Sequence, residues 1–194
     1  MINIIANKLV TYLQALPFRD KLTGIVKTAR LYSDTTVKAF PVKYNTNITT
    51  CNPSQLDALV PDSKKRSIIY FEDFGTSLAR NNDNYIDCSS NLRLVCWFNY
   101  NKIGQYHEPS LIALNILKHL PTVLGNFDNL IGVRCEVTRQ AENDANCFNR
   151  YTYYEEQSQY LTYPYDYVCF DIVATYRIRV DCIDDLTIDE QSCN

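Results

Sequence analysis

Three features predict an α+β protein, a mainly antiparallel sheet packed against two helices. An amphipathic helical stripe opens the chain, an apolar helix lies near its middle, and the later segments alternate cleanly between apolar and polar residues. At 194 residues with 46% in the hydrophobic set, the chain is long enough for one ordinary core and short for two. The expected organisation is one domain over residues 1–182, with a projecting segment at about 140–166 and an acidic tail or arm at 183–194.

The opening helix is predicted over Ile2–Leu16. Ile2, Ile5, Leu9, Tyr12, Leu13 and Leu16 recur at spacings of three and four, and Pro17 stops the run. Residues 24–44, rich in Val, Thr, Tyr and Phe, read as one or two strands with a turn near Ser33–Asp34. The polar stretch 45–65 reads as a long loop with a short helix around Gln55–Leu59. SIIYFEDF (67–74) and LRLVCWFNY (92–100) are strands separated by the polar link RNNDNYIDCSSN. In the second of them Leu92, Leu94, Cys96 and Phe98 share one face. Arg93, Val95, Trp97 and Asn99 share the other, which puts the single tryptophan on the wetter side.

The second helix spans Pro109 to about His119. Proline suits its first turn, and its nearly all-round apolar character predicts burial on more than one face. IGVRCEVTR (131–139) alternates with Ile131, Val133, Cys135 and Val137 inward. The last strand is the most regular. Val168, Phe170, Ile172, Ala174, Tyr176, Ile178 and Val180 form its apolar face. Residues 140–166 exceed what a hairpin needs, so they form either a projecting β-ribbon or a loop folded back.

Composition narrows the chemistry. The net charge of -3 argues against a general nucleic-acid binder, which needs a basic footprint. Residues 1–70 carry ten Lys/Arg against four Asp, and residues 71–194 carry nine against eighteen Asp/Glu. A chain so polarised either stacks head to tail with its own copies or simply carries an asymmetric solvated surface. Lys8 interrupts what a signal peptide would need as its apolar core, and no apolar run is long enough to span a membrane. The eight cysteines are therefore expected as reduced thiols in a chain made in the cytoplasm, with Cys96 and Cys135 as small buried residues on strand faces.

No phosphate-cradling glycine loop and no CxxC occurs, and His107 and His119 are the only histidines. Glu72–Asp73 and Glu155–Glu156 are sequence neighbours, so on strands they point to opposite faces and cannot share a proton. The expectation is no catalytic residue, no metal ion and no cofactor, hence a protein that is not an enzyme. Seven of the fifteen tyrosines fall within seventeen residues, Tyr151 to Tyr167. Tyrosine is rigid, apolar along its ring and polar at its tip, which suits surfaces that meet other surfaces. Tyr151, Tyr153, Tyr154, Tyr160, Tyr163 and Tyr165 are the candidate subunit or partner interface. Trp97 joins them as an alternative to being roofed by a helix.

The order of these elements resembles the tail-terminator and tail-completion proteins of tailed bacteriophages. The likeness rests on the helix Ile2–Leu16, SIIYFEDF, LRLVCWFNY, the helix LIALNILKHL, IGVRCEVTR and YDYVCFDIVATYRIRV. The low-glycine, asparagine- and tyrosine-rich composition is similar to that of proteins from crAss-like phages. The resemblance implies a virion structural protein of the neck or tail, made in the host cytoplasm and assembled as a homo-oligomeric ring. Its partners would be itself, neighbouring neck and tail proteins, and DNA passing through the channel without sequence recognition, with no membrane involved. The loop at 45–65 and the segment 140–166 are long for that family. A small intracellular binding module that turns its tyrosine-rich segment on a host protein is the alternative.

Overall fold

The computed structural model describes residues 1–32, 37–43, 57–80, 84–104, 108–142, 145–148, 150–152 and 161–182. The elements run α1 (Ile2–Leu13), β1 (Lys21–Tyr32), β2 (Val37–Lys43), β3 (Ser67–Arg80), β4 (Tyr85–Asn99), α2 (Pro109–His119), β5 (Val123–Phe127), β6 (Leu130–Glu142) and β7 (Tyr165–Arg179). The seven strands form one mixed sheet in the order β2-β1-β3-β4-β7-β6-β5. Only the β1–β3 pairing is parallel; every other neighbouring pair is antiparallel. The fold class is therefore the α+β arrangement expected, with both helices on one face.

The helix face carries the larger core. Ile5, Leu9 and Leu13 of α1 and Ile112, Ala113 and Ile116 of α2 pack on Ile69, Phe71, Leu92, Leu94, Cys96, Phe98, Val168, Phe170 and Ile172. The helical stripe and the strand alternations of the sequence thus meet in one layer, each apolar period burying against the other. Gly24 lets α1 lie close on β1, because a Cβ there would meet the Asn7 side chain. Pro41 sits in β2, an edge strand, where a missing N–H is tolerated.

Several boundaries differ from the sequence reading. β3 and β4 run well into the polar link, with Thr76 opposite Ser90 and Leu78 opposite Cys88. The hydroxyls of Thr76 and Ser90 lie 2.7 Å apart, and Ser90 reaches the Tyr176 hydroxyl at 3.0 Å. These small polar residues therefore pair as strand rather than loop. A bulge between Asp73 and Thr76 is closed by the Gly75 N–H donating to Asp73 Oδ1 at 2.6 Å, with Gly75 at φ 99°.

β5 was not expected. It pairs with β6 through a two-residue turn, in which Asp128 has a φ of 50°. The described part of the expected 55–59 helix is extended instead: Ala58 bridges Val42, and the Leu59 N–H donates to Pro41 O at 2.8 Å. The turn near Ser33–Asp34 and the acidic arm at 183–194 lie outside the described residues.

Candidate interaction site

The second face of the sheet, expected to be the wetter one, is covered over its central strands. Ile68, Tyr70, Val95, Trp97, Tyr167 and Cys169 point to this side. Over them lies a strap, residues 145–148 and 150–152, that begins with one 3-10 turn (Ala145–Phe148). The strap brings Cys147, Phe148 and Tyr151 into this second cluster, with Leu59 beside them. Phe148 meets Tyr167 edge-on at 4.7 Å between ring centres, and Tyr151 meets Tyr70 at 6.3 Å. The Thr152 N–H donates to Ala39 O of β2 at 2.7 Å, so the strap reaches the sheet edge.

Trp97 is only 1% exposed, stacked on Tyr165 at 5.5 Å. The roof is thus an aromatic ring and the strap, not a helix, and the indole is sealed inside its own subunit. Tyr151 is buried as well. Within the single subunit both side chains are covered by the chain's own residues. Within the segment 140–166, Cys147, Phe148 and Tyr151 pack onto this face of the sheet.

Tyr163 is different. It is 83% exposed, next to Tyr100 at 6.1 Å and preceding a cis proline, Pro164. Tyr165 is half-buried. Tyr153, Tyr154 and Tyr160 lie outside the described residues.

Cys147 and Cys169 are joined as a disulfide, their Cα atoms 6.3 Å apart, which corrects the expectation of reduced thiols throughout. The strap creates this proximity, and the spacing of the two cysteines in sequence gives no hint of it. Cys88, Cys96 and Cys135 are thiols buried on the helix face. Burial raises the pKa of all three, that of Cys135 to about 11, so they stay protonated and poorly nucleophilic.

A row of charge crosses the second face beside the strap. Glu72, Arg93, Asp171 and Arg139 stand at adjacent register positions on β3, β4, β7 and β6. Arg93 Nε donates to Asp171 Oδ1 at 2.7 Å, and Arg139 Nη1 lies 3.8 Å from Asp171 Oδ2. Phe74 has the guanidinium groups of both Arg93 and Arg150 at 4.8 Å from its ring centre. Arg150 also donates to Asp73 O at 3.1 Å.

Glu72 is buried, and the Tyr151 hydroxyl donates to its Oε1. Its Oε2 has no hydrogen-bond partner among the described residues. Burial is the main cause that holds its pKa above the usual carboxylate value; the Tyr151 hydrogen bond and the nearby Arg150 and Arg93 oppose that shift. The hydrogen bond from Tyr151 ties the strap to β3 at this point. Asp73, its sequence neighbour, points elsewhere and caps the bulge.

His119 Nδ1 donates to Asn115 O, 2.7 Å away, within α2, and His107 lies outside the described residues. Among the described residues no group of three His, Cys, Asp or Glu side chains is arranged to hold a metal ion. No helix among them is long and apolar enough to cross a membrane.

The sequence reading missed the other exposed apolar side chains. Leu111 (42%) and Leu114 (62%) stand on the outer side of α2, with Val123 just beyond it. Phe74 and Leu78 (61%) are exposed on the distal part of β3. A signal existed for α2: a helix apolar on nearly all sides, lying on one face of a single sheet, has one side left over. No known family model matches this chain, and a search of curated proteins found no match.

Proposed function

We propose that the protein is a structural subunit of a tailed-phage neck or tail, assembling with its own copies into a ring through which DNA passes without sequence readout. The observation that carries this reading is the placement of exposed apolar side chains at separated sites: Leu111 and Leu114 on the helix layer, Phe74 and Leu78 at the far end of β3. Two different patches on one subunit favour heterologous, head-to-tail contacts, and such contacts close into rings when the rotation allows. The charge polarity agrees with this. The β1–β2 hairpin carries Lys21, Lys27, Arg30, Lys38 and Lys43 and no acidic residue among its described positions. An acidic surplus follows residue 70. Charge of opposite sign in the two parts of the sequence would favour attraction between stacked copies.

The test is the mass of the purified protein in solution, measured by light scattering and native mass spectrometry, together with its presence in virions. A defined multiple of the 22.5 kDa subunit in both is the expected result. A chain that remains monomeric at high concentration and is absent from virions overturns the reading. Tyr163, with its large exposure, favours a second reading in which a monomer binds one host protein through this end of the tyrosine-rich segment. That reading requires a one-to-one complex, lost on Tyr163→Ser.

A further inference from the structure

We propose that Cys147 and Cys169 are a site of reversible thiol–disulfide exchange that locks the strap over the second face of the sheet. The inference does not depend on the function proposed above. In the oxidised chain the bond anchors the strap to β7. Without it the strap is held by Phe148 on Tyr167, Tyr151 on Tyr70 and Glu72, Arg150 on Asp73 O and Phe74, and Thr152 on Ala39 O. On this proposal these contacts bring the two thiols together, and oxidation then fixes the docked strap.

The reaction is an exchange with a small disulfide such as oxidised glutathione. A thiolate of one cysteine attacks that disulfide, one glutathione thiol leaves, and the second cysteine thiolate displaces the other. Two protein thiols lose two electrons and two protons, and one glutathione disulfide becomes two glutathione thiols. Both protein sulfurs belong to residues buried to within a few per cent once the strap is down, Cys147 at 2% and Cys169 at 3%. Reduction in the folded protein therefore has to wait for the strap to open, as access limits such exchange.

Position gives the lock its consequence. The two cysteines are 22 residues apart, and the stretch between them holds the whole tyrosine-rich segment, Tyr151 to Tyr167. Closing that loop ties both of its ends, Tyr151 and Tyr165, to the face that carries Trp97. Three further thiols, Cys88, Cys96 and Cys135, lie in the core on the helix face, away from this pair.

Arg150 and Trp97 make the lock measurable. Arg150 is exposed and stands inside the strap, so trypsin cuts after it once the strap lifts. The protein equilibrated with oxidised glutathione, alkylated under denaturing conditions and digested, is expected to yield the peptide pair linked through Cys147 and Cys169. Native-state cleavage after Arg150 should be at least about tenfold faster after reduction with dithiothreitol, as removal of a cross-link of this loop size releases the closed state. Acrylamide should then also quench the single tryptophan more strongly. The Cys147→Ser/Cys169→Ser variant should cleave at the reduced rate with or without dithiothreitol. Failure to recover the linked pair, or equal cleavage rates in oxidised and reduced wild-type protein, overturns the proposal. The wild-type comparison decides the matter even where the double variant does not fold.

Discussion

Glu72 takes its character from a residue far along the chain. In SIIYFEDF it is one of two adjacent acids, yet it is 1% exposed and roofed by Tyr151. Its raised pKa has a consequence for stability. The folded protein holds the Glu72 proton at pH values where the unfolded chain has released it, so this contribution is full below the ordinary value of 4.5 and is lost as pH rises through the raised folded value. Unfolding in urea at a series of pH values should show stability falling upward from about pH 4.5, and Glu72→Gln should flatten that fall. An unchanged slope in the variant would mean that other groups set the pH dependence.

Trp97 makes the same point from the apolar side. Its neighbours Arg93 and Asn99 mark its face as polar, and the cover that buries it comes from about fifty residues further along the chain. Nothing local in LRLVCWFNY announces that cover. Trp97→Ala should cost about 3–5 kcal/mol in equilibrium unfolding, the range for deleting a large buried aromatic. Tyr163→Ser, at an exposed position, should stay within about 0.5 kcal/mol of wild type. A comparable loss in both would place Tyr163 in the core and remove it from the candidate surface.

Among the elements, those with a strong period were legible and those defined by partners were not. β7 buried Val168, Phe170, Ile172, Ala174, Tyr176 and Ile178 as its alternation selected. α1 buried Ile5, Leu9 and Leu13 of its stripe but left Tyr12 exposed, while α2, expected to be buried on more than one face, buries one side only. β5 escaped notice because VLGNF is short and contains a glycine, although the Asp128–Asn129 turn that follows is ordinary hairpin chemistry. The extensions of β3 and β4 escaped notice because Thr76, Ser77, Ser89 and Ser90 look like loop residues until they face one another.

The junction of α1 with β1 offers a test at this scale. Gly24 has an ordinary backbone conformation, and its missing Cβ leaves room for the Asn7 side chain. Gly24→Ala should destabilise by about 1 kcal/mol through crowding, with the loss limited because Asn7 can swing aside. Adding Asn7→Ala should restore most of that stability. A double variant no more stable than Gly24→Ala alone would show that the glycine serves some need other than close approach.

At the scale of the whole molecule, the two faces of the sheet are finished differently, and that difference points to where other molecules meet it. The second face closes on itself through the strap, the stacked Trp97 and Tyr165, and the charge row from Glu72 to Arg139. The helix layer instead ends in leucines directed away from the core. The tyrosine-rich segment drew attention in the sequence because it is dense. The two exposed leucines of α2 did not, since a helix apolar all round looks wholly buried until the sheet proves to lie on one side of it only.

If the subunit assembles as proposed, that outer side of α2 is a contact, and charge placed there should break it without harming the fold. Leu111→Glu and Leu114→Glu together leave Ile112, Ala113 and Ile116 in the core untouched. The paired variant should therefore melt within a few degrees of wild type, as exposed substitutions usually do. Its mass in solution should drop from the assembled value to 22.5 kDa. The matching substitution at the far end of β3, Leu78→Glu, should have the same effect if contacts are head to tail, since each subunit then needs both patches. Mixing the two variants adds a sharper criterion. Each keeps one intact patch, so an equal mixture should form pairs of subunits and go no further. Full assembly from that mixture would require a self-complementary contact in place of a head-to-tail one.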